Sequence, residues 1–332
     1  MSDGPSATLD DIDRPVFDYM QGYVICSVFA ALESAGVLAD LAATGLRPDD
    51  VGSNSFLTEA TFDYLAQRGI VCTDGDTRYR LTELGRFIHA DRGYLVWLAG
   101  GYGAPLTAFG DLLTDAQTFG KEVDRDVRWV AVGTALVGRN DLWPYVLEVV
   151  RAFEFHRIAD LGCGNGQSLI SLCQVVGATG IGVDISPAAC AEAGREVARA
   201  GLSDRIEIIE ADAGNLKSVP GIDEVDLVIT FFFLHEVLEH GYDALVAYLR
   251  QIQESLPAKA HILTAEIGPP DSNLDTSEVL APEYALTQAL MKQHLLDEKG
   301  WQRAFTEAGF EVRQTIRPDL PGARIILAAK PG

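Results

Sequence analysis

Three glycines at alternate positions stand in Ile158-Ala-Asp160-Leu-Gly162-Cys-Gly164-Asn-Gly166-Gln-Ser168, between a short apolar run and a helix signal. Glycine in such a turn permits positive φ and lets a ligand come close to the main chain. The spacing is not the GxGxxG of a dinucleotide loop, which argues against a nicotinamide enzyme. Two further acids follow apolar runs: Asp184, 24 residues after Asp160, and Asp212, next to Ala213. A carboxylate at a strand end accepts hydrogen bonds from both hydroxyls of a ribose. Asp212 is placed for an adenine amino group and Asp160 for the amino end of an amino-acid moiety. The competing reading makes Asp184 and Asp212 mere helix caps.

A second group of reactive side chains lies in Phe231-Phe-Phe-Leu-His235-Glu236-Val-Leu-Glu239-His240. A zinc-protease HExxH needs its histidines four apart, whereas His235 and His240 are five apart and point roughly 140° from each other on a helix. His235 instead opens a helix at the mouth of the cofactor strand, where an acceptor would meet a transferable group. Glu266, in Leu-Thr-Ala-Glu266-Ile-Gly-Pro-Pro, ends a buried run, so its carboxylate needs a partner. His294 follows in Leu-Met-Lys-Gln-His294-Leu-Leu-Asp-Glu298. If His235, Glu266 and His294 converge, two imidazoles and a carboxylate form a divalent-metal site with open positions.

The elements that position these groups alternate. Apolar, β-branched runs at Arg157–Leu161, Thr179–Asp184, Ile206–Ala211, Val225–Phe232 and His261–Glu266, with amphipathic segments between them, predict a doubly wound parallel α/β sheet over 154–332. A helix at Trp301–Ala308 and runs at Phe310–Arg317 and Arg324–Ala329, flanking the turn residues Pro318 to Gly322, predict a closing antiparallel hairpin. Residues 13–153 are mainly helical. Thr58 is expected to cap a helix, and Ile70–Cys72, a turn at Asp74-Gly75-Asp76 and Tyr79–Leu81 then give the order of a winged helix. Further helices are expected over Tyr94–Leu113 and Val127–Phe153. Residues 1–12 read as a loose end. Phe17, Tyr19, Met20, Tyr23, Val24, Val28, Leu32 and, beyond it, Val37 and Leu38 recur at helical spacing on a segment too apolar for a lone surface helix, which predicts packing against a second copy in a homodimer.

The acid series and glycine loop resemble the class I S-adenosylmethionine-dependent methyltransferases over about Phe155 to Lys330. That resemblance implies a Rossmann-like sheet with the cofactor across its strand ends, held by Asp160, Gly162, Gly164, Gly166, Asp184, Asp212, Ala213 and Phe231. The winged-helix end extends it to the small-molecule O-methyltransferases, whose catalytic histidine matches His235. Their His-Asp pair is His235-Glu236 here, and their later acid falls near His294. This departure resembles the bacterial α-keto acid C-methyltransferases of peptide-antibiotic pathways, of the branched-chain 2-oxo acid or 2-ketoarginine type. The implied function is metal-assisted methylation at C3 of a small 2-oxo acid, with His235, Glu236 and Glu266 as catalytic residues. His235, Glu266 and His294 would then hold zinc, iron, nickel or cobalt, with the ion stabilising an enolate. Glu236, Glu239, His240 or a metal-bound hydroxide would be the base. The alternative is metal-free O-methylation with His235 as base. A guanidino side chain on the acceptor would call for an acid such as Asp18, and Arg139, Asn140 and Trp143 are candidates for the pocket wall.

Composition narrows the remaining classes. A net charge of −22 repels phosphate backbones and anionic membranes. Residues 1–100 carry seven arginines, no lysine and fifteen carboxylates, which counts against a cofactor-sensing DNA-binding regulator. The apolar runs are too short to span a bilayer, and five cysteines without a CxxC fit a reducing compartment, so a cytoplasmic location is expected.

Overall fold

The computed structural model describes residues 14–73, 78–269, 281–320 and 322–332. The loose end expected at 1–12, the turn at Asp74–Asp76 and Pro321 of the hairpin turn lie outside the described residues. The chain divides into two compact units, 1–140 and 141–332.

In the first unit, the apolar helix expected to run past Leu32 is two helices, Val16–Ser34 and Val37–Ala43. They break at Gly36, whose φ of 73° ends one helix and caps the next. The helix Ser55–Gln67 is capped by Asn54, which accepts the Leu57 N–H at 3.2 Å. Thr58, the expected cap, lies inside that helix with its hydroxyl donating to the Asn54 carbonyl at 3.0 Å. Strands β1 (Val71–Thr73) and β2 (Tyr79–Leu81) follow as an antiparallel pair, and Leu46 bridges to Tyr79 beside them. Phe29, Leu38, Phe62, Leu65 and Ile70 form the core that these elements share. The stretch Tyr94–Leu113 is helical as expected, in the short pieces Arg92–Leu95, Val96–Gly101, Gly103–Thr107 and Phe109–Leu113, and is rich in helix-weakening residues at Gly100, Gly101, Gly103, Pro105 and Gly110.

The second unit is a seven-stranded sheet. Its strands are β3 (Arg157–Leu161), β4 (Thr179–Asp184), β5 (Ile206–Glu210), β6 (Leu227–Phe231), β7 (His261–Ile267), β8 (Glu311–Ile316) and β9 (Ala323–Ala329), in the order β5-β4-β3-β6-β7-β9-β8. β3 to β7 run parallel, and β9 is antiparallel to both β7 and β8. Helix Trp143–Arg151, expected in the first unit, belongs to this one and packs on helix Gln167–Val176 and β9. Ile262 and Ile326 of neighbouring strands meet Leu249, Trp301 and Phe305 in the core on one face. From β3 the chain winds outward through β4 and β5, then returns to β3's other edge with β6. That reversal opens a crevice at the carboxyl ends of β3 and β6.

Candidate active site

The glycine loop leaves β3 into that crevice. Gly162 has φ 76°, and a Cβ there would stand 2.9 Å from the Phe233 ring. Gly166, at φ 75°, caps the helix Gln167–Val176. Both positions need glycine, for backbone conformation and, at Gly162, for space. Asp184 ties the loop down: its Oδ2 accepts the Gly164 N–H at 2.9 Å and its Oδ1 the Ser186 N–H at 2.9 Å. Asp212 caps the turn Ala213–Ser218 by accepting the Gly214 N–H at 2.7 Å. These bonds use one lone pair per oxygen and leave others for a ligand, so the cap and ligand readings coexist. Ala213 is buried, and Phe231 is half-buried with the Trp143 ring edge-on at 6.4 Å.

Asp160 is buried at the end of β3. Burial first and the charge of Asp184 second push its carboxyl up to about 7, against the pull of the Leu169 amide. A buried carboxyl beside a second carboxylate favours a cation as ligand. The donor set therefore fits the ammonium and sulfonium charges of S-adenosylmethionine, and the glycine backbone fits its close approach.

At the end of β6 the chain makes a turn that sequence reasoning missed. Phe232 takes φ 54°, rare for a bulky residue, while its N–H donates to the Ala265 carbonyl at 2.9 Å. The turn swings two amides onto β7: Phe233 N–H and Leu234 N–H donate to Glu266 Oε1 at 3.1 and 2.8 Å. Glu266 Oε2 meets His235 Nδ1 at 2.8 Å. Glu266 is fully buried and His235 is 6% exposed. With Oε1 accepting two amides, the carboxylate serves as acceptor throughout, so Nδ1 donates and Nε2 keeps its lone pair. Neither strained Phe232 nor the paired amides leave a trace in residue types. Tyr248, whose buried ring lies 6.0 Å from that of Phe233, was also missed.

The other expected residues lie differently. Glu236, Glu239 and His240 are exposed, as the helix Leu234–Leu238 turns them away from the buried face that holds His235. Among the described residues no three His, Cys, Asp or Glu side chains converge on a possible ion. The expected metal set of His235, Glu266 and His294 is present only as its first two members. Both Glu266 oxygens already accept hydrogen bonds, and His294 is exposed on the segment leading to helix Glu298–Glu307. That segment does pass close to β7: the Leu296 carbonyl oxygen lies 2.7 Å from where a Cβ on Gly268 would stand.

Comparison with known proteins places the chain among methyltransferases in sequence and fold. Residues 158–256 match a family model described as a methyltransferase domain. An indolepyruvate C-methyltransferase of Streptomyces griseus is 28% identical over 327 residues, 92% of this chain and 94% of that protein. Among solved structures, an O-methyltransferase family protein of Burkholderia thailandensis superposes with a TM-score of 0.66 at 15% identity, covering 97% of this chain and 99% of that one. PigF with S-adenosylhomocysteine gives 0.67 at 18% identity, covering 98% and 100%.

Proposed function

We propose that this methyltransferase is of the class I S-adenosylmethionine-dependent type and that the atom it methylates is C3 of a small 2-oxo acid. The observation that carries this reading is the similarity of both units, over 92% of the chain, to an indolepyruvate C-methyltransferase. The buried His235–Glu266 pair supports it by supplying a base.

S-adenosylmethionine supplies, when bound, a methyl group made electrophilic by its sulfonium. The chain's residues do the rest. Asp160 would hold the cationic amino-acid end, Asp184 the ribose and Asp212 the adenine, and the Gly162–Gly166 backbone would allow close approach. Glu266 holds the imidazole of His235 by Nδ1, which makes Nε2 the basic nitrogen. The C3 proton of the acceptor passes to Nε2, and the electrons of that C–H bond become the enolate. The enolate carbon then forms the new C–CH3 bond as the methyl–sulfur bond breaks. A carbon beside a ketone is a weak acid, so rate depends on holding base, C3 and methyl in line.

Two finer readings share this site. Metal assistance would make His235 a ligand and leave proton removal to another group; metal analysis of the purified enzyme and assays after chelation test it. O-methylation is supported by the same His235–Glu266 pair, which can deprotonate a hydroxyl. Incubation with 13C-methyl cofactor and a panel of 2-oxo acids separates the acceptors. A new C-methyl carbon coupled to C3 supports C-methylation, whereas label in an O-methyl group, or none in any 2-oxo acid, overturns it. We also propose a homodimer joined through the apolar face of helix Val16–Ser34, on which Phe17, Tyr19, Met20 and Tyr23 are exposed.

A further inference from the structure

Every residue of β9 is buried, and one of them is charged: Arg324, 6% exposed in the run Ala-Arg-Ile-Ile-Leu-Ala-Ala. Its partner across the strand pair is Glu266 of β7. Directly paired residues of an antiparallel ladder share a face, with Cβ atoms roughly 5 Å apart. The buried arginine and the buried glutamate therefore project from neighbouring strands on the same side of the sheet. That side carries helix Glu298–Glu307, whose Trp301 and Phe305 share a core with Ile326 of β9.

The guanidinium is anchored at two points. Nε donates to Glu298 Oε2 at 2.9 Å and Nη1 to the Ala323 carbonyl at 2.7 Å. Glu298 opens its helix behind the N-cap Asp297, and the same oxygen accepts a second bond, from Arg317 Nε, at 2.9 Å. One residue before the cap, the Leu296 carbonyl packs on Gly268, whose N–H donates to the Gly322 carbonyl at 2.8 Å. The helix start, the start of β9 and the end of β7 are thus fastened together around Glu266. The fold alone does not ask for a charge here. Replacing a buried ion pair by apolar side chains is often neutral or stabilising, because no charge is then taken out of water. What a guanidinium adds is direction, since its N–H groups are fixed in one plane.

We propose that Arg324 is a positioning residue, which through Glu298 holds β9 and the carboxyl end of β7 where the Glu266 carboxylate can serve His235 and the Phe233 and Leu234 amides together. Three donors at 2.8 to 3.1 Å leave little slack. A drift of about 1 Å breaks at least one of these bonds and turns the imidazole. The effect of Arg324 runs through Glu266. The inference rests on the reading of His235 as base and Glu266 as its orienting group, and adds what fixes the two in place.

The test compares Arg324→Met with Arg324→Lys, which restores a positive donor toward Glu298, and with Ile326→Val, a core-weakening control on the same face of β9. Proton NMR of enzyme labelled with 15N-histidine reads the Nδ1–H bond to Glu266 as a downfield resonance, assigned by its loss in His235→Asn, with no acceptor present. Kinetics use the best acceptor from the 2-oxo acid panel, and calorimetry gives cofactor affinity. In Arg324→Met the resonance is expected to move upfield or vanish and kcat to fall about ten- to hundredfold, with KM and cofactor affinity little changed. Arg324→Lys recovers part of both, and Ile326→Val lowers Tm while leaving both as in the wild type. A resonance and kcat unmoved in Arg324→Met, or moved no more than in Ile326→Val at equal loss of Tm, overturn the inference alone. If Arg324→Met does not fold, Glu298→Gln, which keeps the arginine and removes the charge that anchors it, is held to the same outcomes. Where no acid of the panel is turned over, the resonance alone decides. Its absence from the wild-type enzyme overturns the base reading and the inference with it.

Discussion

Glu266 binds three donors at once, two amides and an imidazole, and that sharing makes it hard to replace. In Glu266→Gln one end of the side chain becomes an NH2 group. It then faces either the Phe233 and Leu234 amides or His235 Nδ1, and the second arrangement moves the ring proton to Nε2 and removes the base. We expect kcat to fall by roughly 10²- to 10⁴-fold, with cofactor affinity by titration calorimetry little changed. A variant with near-normal kcat would contradict the assignment. Asp160 sets a pH dependence. Its carboxyl ionises near 3.8 in a free chain and near 7 in the folded protein, so the folded state holds the proton longer. Below the lower value both states are protonated and the group is neutral in its effect. As pH rises through the window the folded state is progressively disfavoured, and fully so above the upper value. The cofactor-free protein should therefore lose Tm as pH is raised from about 4 to about 7, Asp160→Asn should flatten that decline, and cofactor affinity should strengthen over the same range. Parallel Tm profiles for the two proteins would refute this.

Two turns hold the site at the level of elements, one after β3 and one after β6, and they touch where Gly162 meets the Phe233 ring. Substitution of Gly162 by alanine must accommodate a left-handed backbone, costing about 1–2 kcal/mol, and must displace the ring. Phe233 cannot move freely, because its amide is fixed on Glu266 and Phe232 before it is already strained. The expected outcome is a lower Tm together with at least about tenfold weaker cofactor binding, measured by thermal unfolding and calorimetry. A normal affinity would show that the two turns are not coupled. Gly164, with nothing within 4 Å of its added Cβ, should be limited by its φ alone.

Over the whole molecule, charge and exposed apolar surface pull in opposite directions. Helix Val16–Ser34 exposes Phe17, Tyr19, Met20 and Tyr23, while each copy carries a net charge of −22. Pairing through that helix buries apolar area against long-range repulsion, so added salt should favour the dimer. Sedimentation should give a dimeric mass that Tyr19→Glu with Tyr23→Glu reduces to a monomer. A monomeric wild-type protein at high salt would contradict the proposed interface. Among the described residues no single helix is long and apolar enough to cross a membrane; the bent pair Val16–Ser34 and Val37–Ala43 passes by length and composition only together.

The strands that carry the site were legible because buried parallel strands leave continuous β-branched runs. Arg157–Leu161 and Thr179–Asp184 fall where the residues put them. The glycine loop and the acids after it were legible for a similar reason: few residue types tolerate a positive φ or a charge at a buried strand end. Helix breaks were less so, since Gly36 and Asn54 act through local geometry that a periodic pattern smooths over. The metal set was inferred from types and order alone, and whether three side chains converge depends on rotamers and loop paths that sequence spacing does not contain. Sequence by itself determined the glycine loop and the strand-end acids proposed to hold the methyl donor, because local chemistry dictates them. Only the tertiary structure decided that Glu266 orients His235 and that Arg324 stands opposite Glu266, tied to Glu298, because partners distant along the chain decide whether a buried polar group is satisfied.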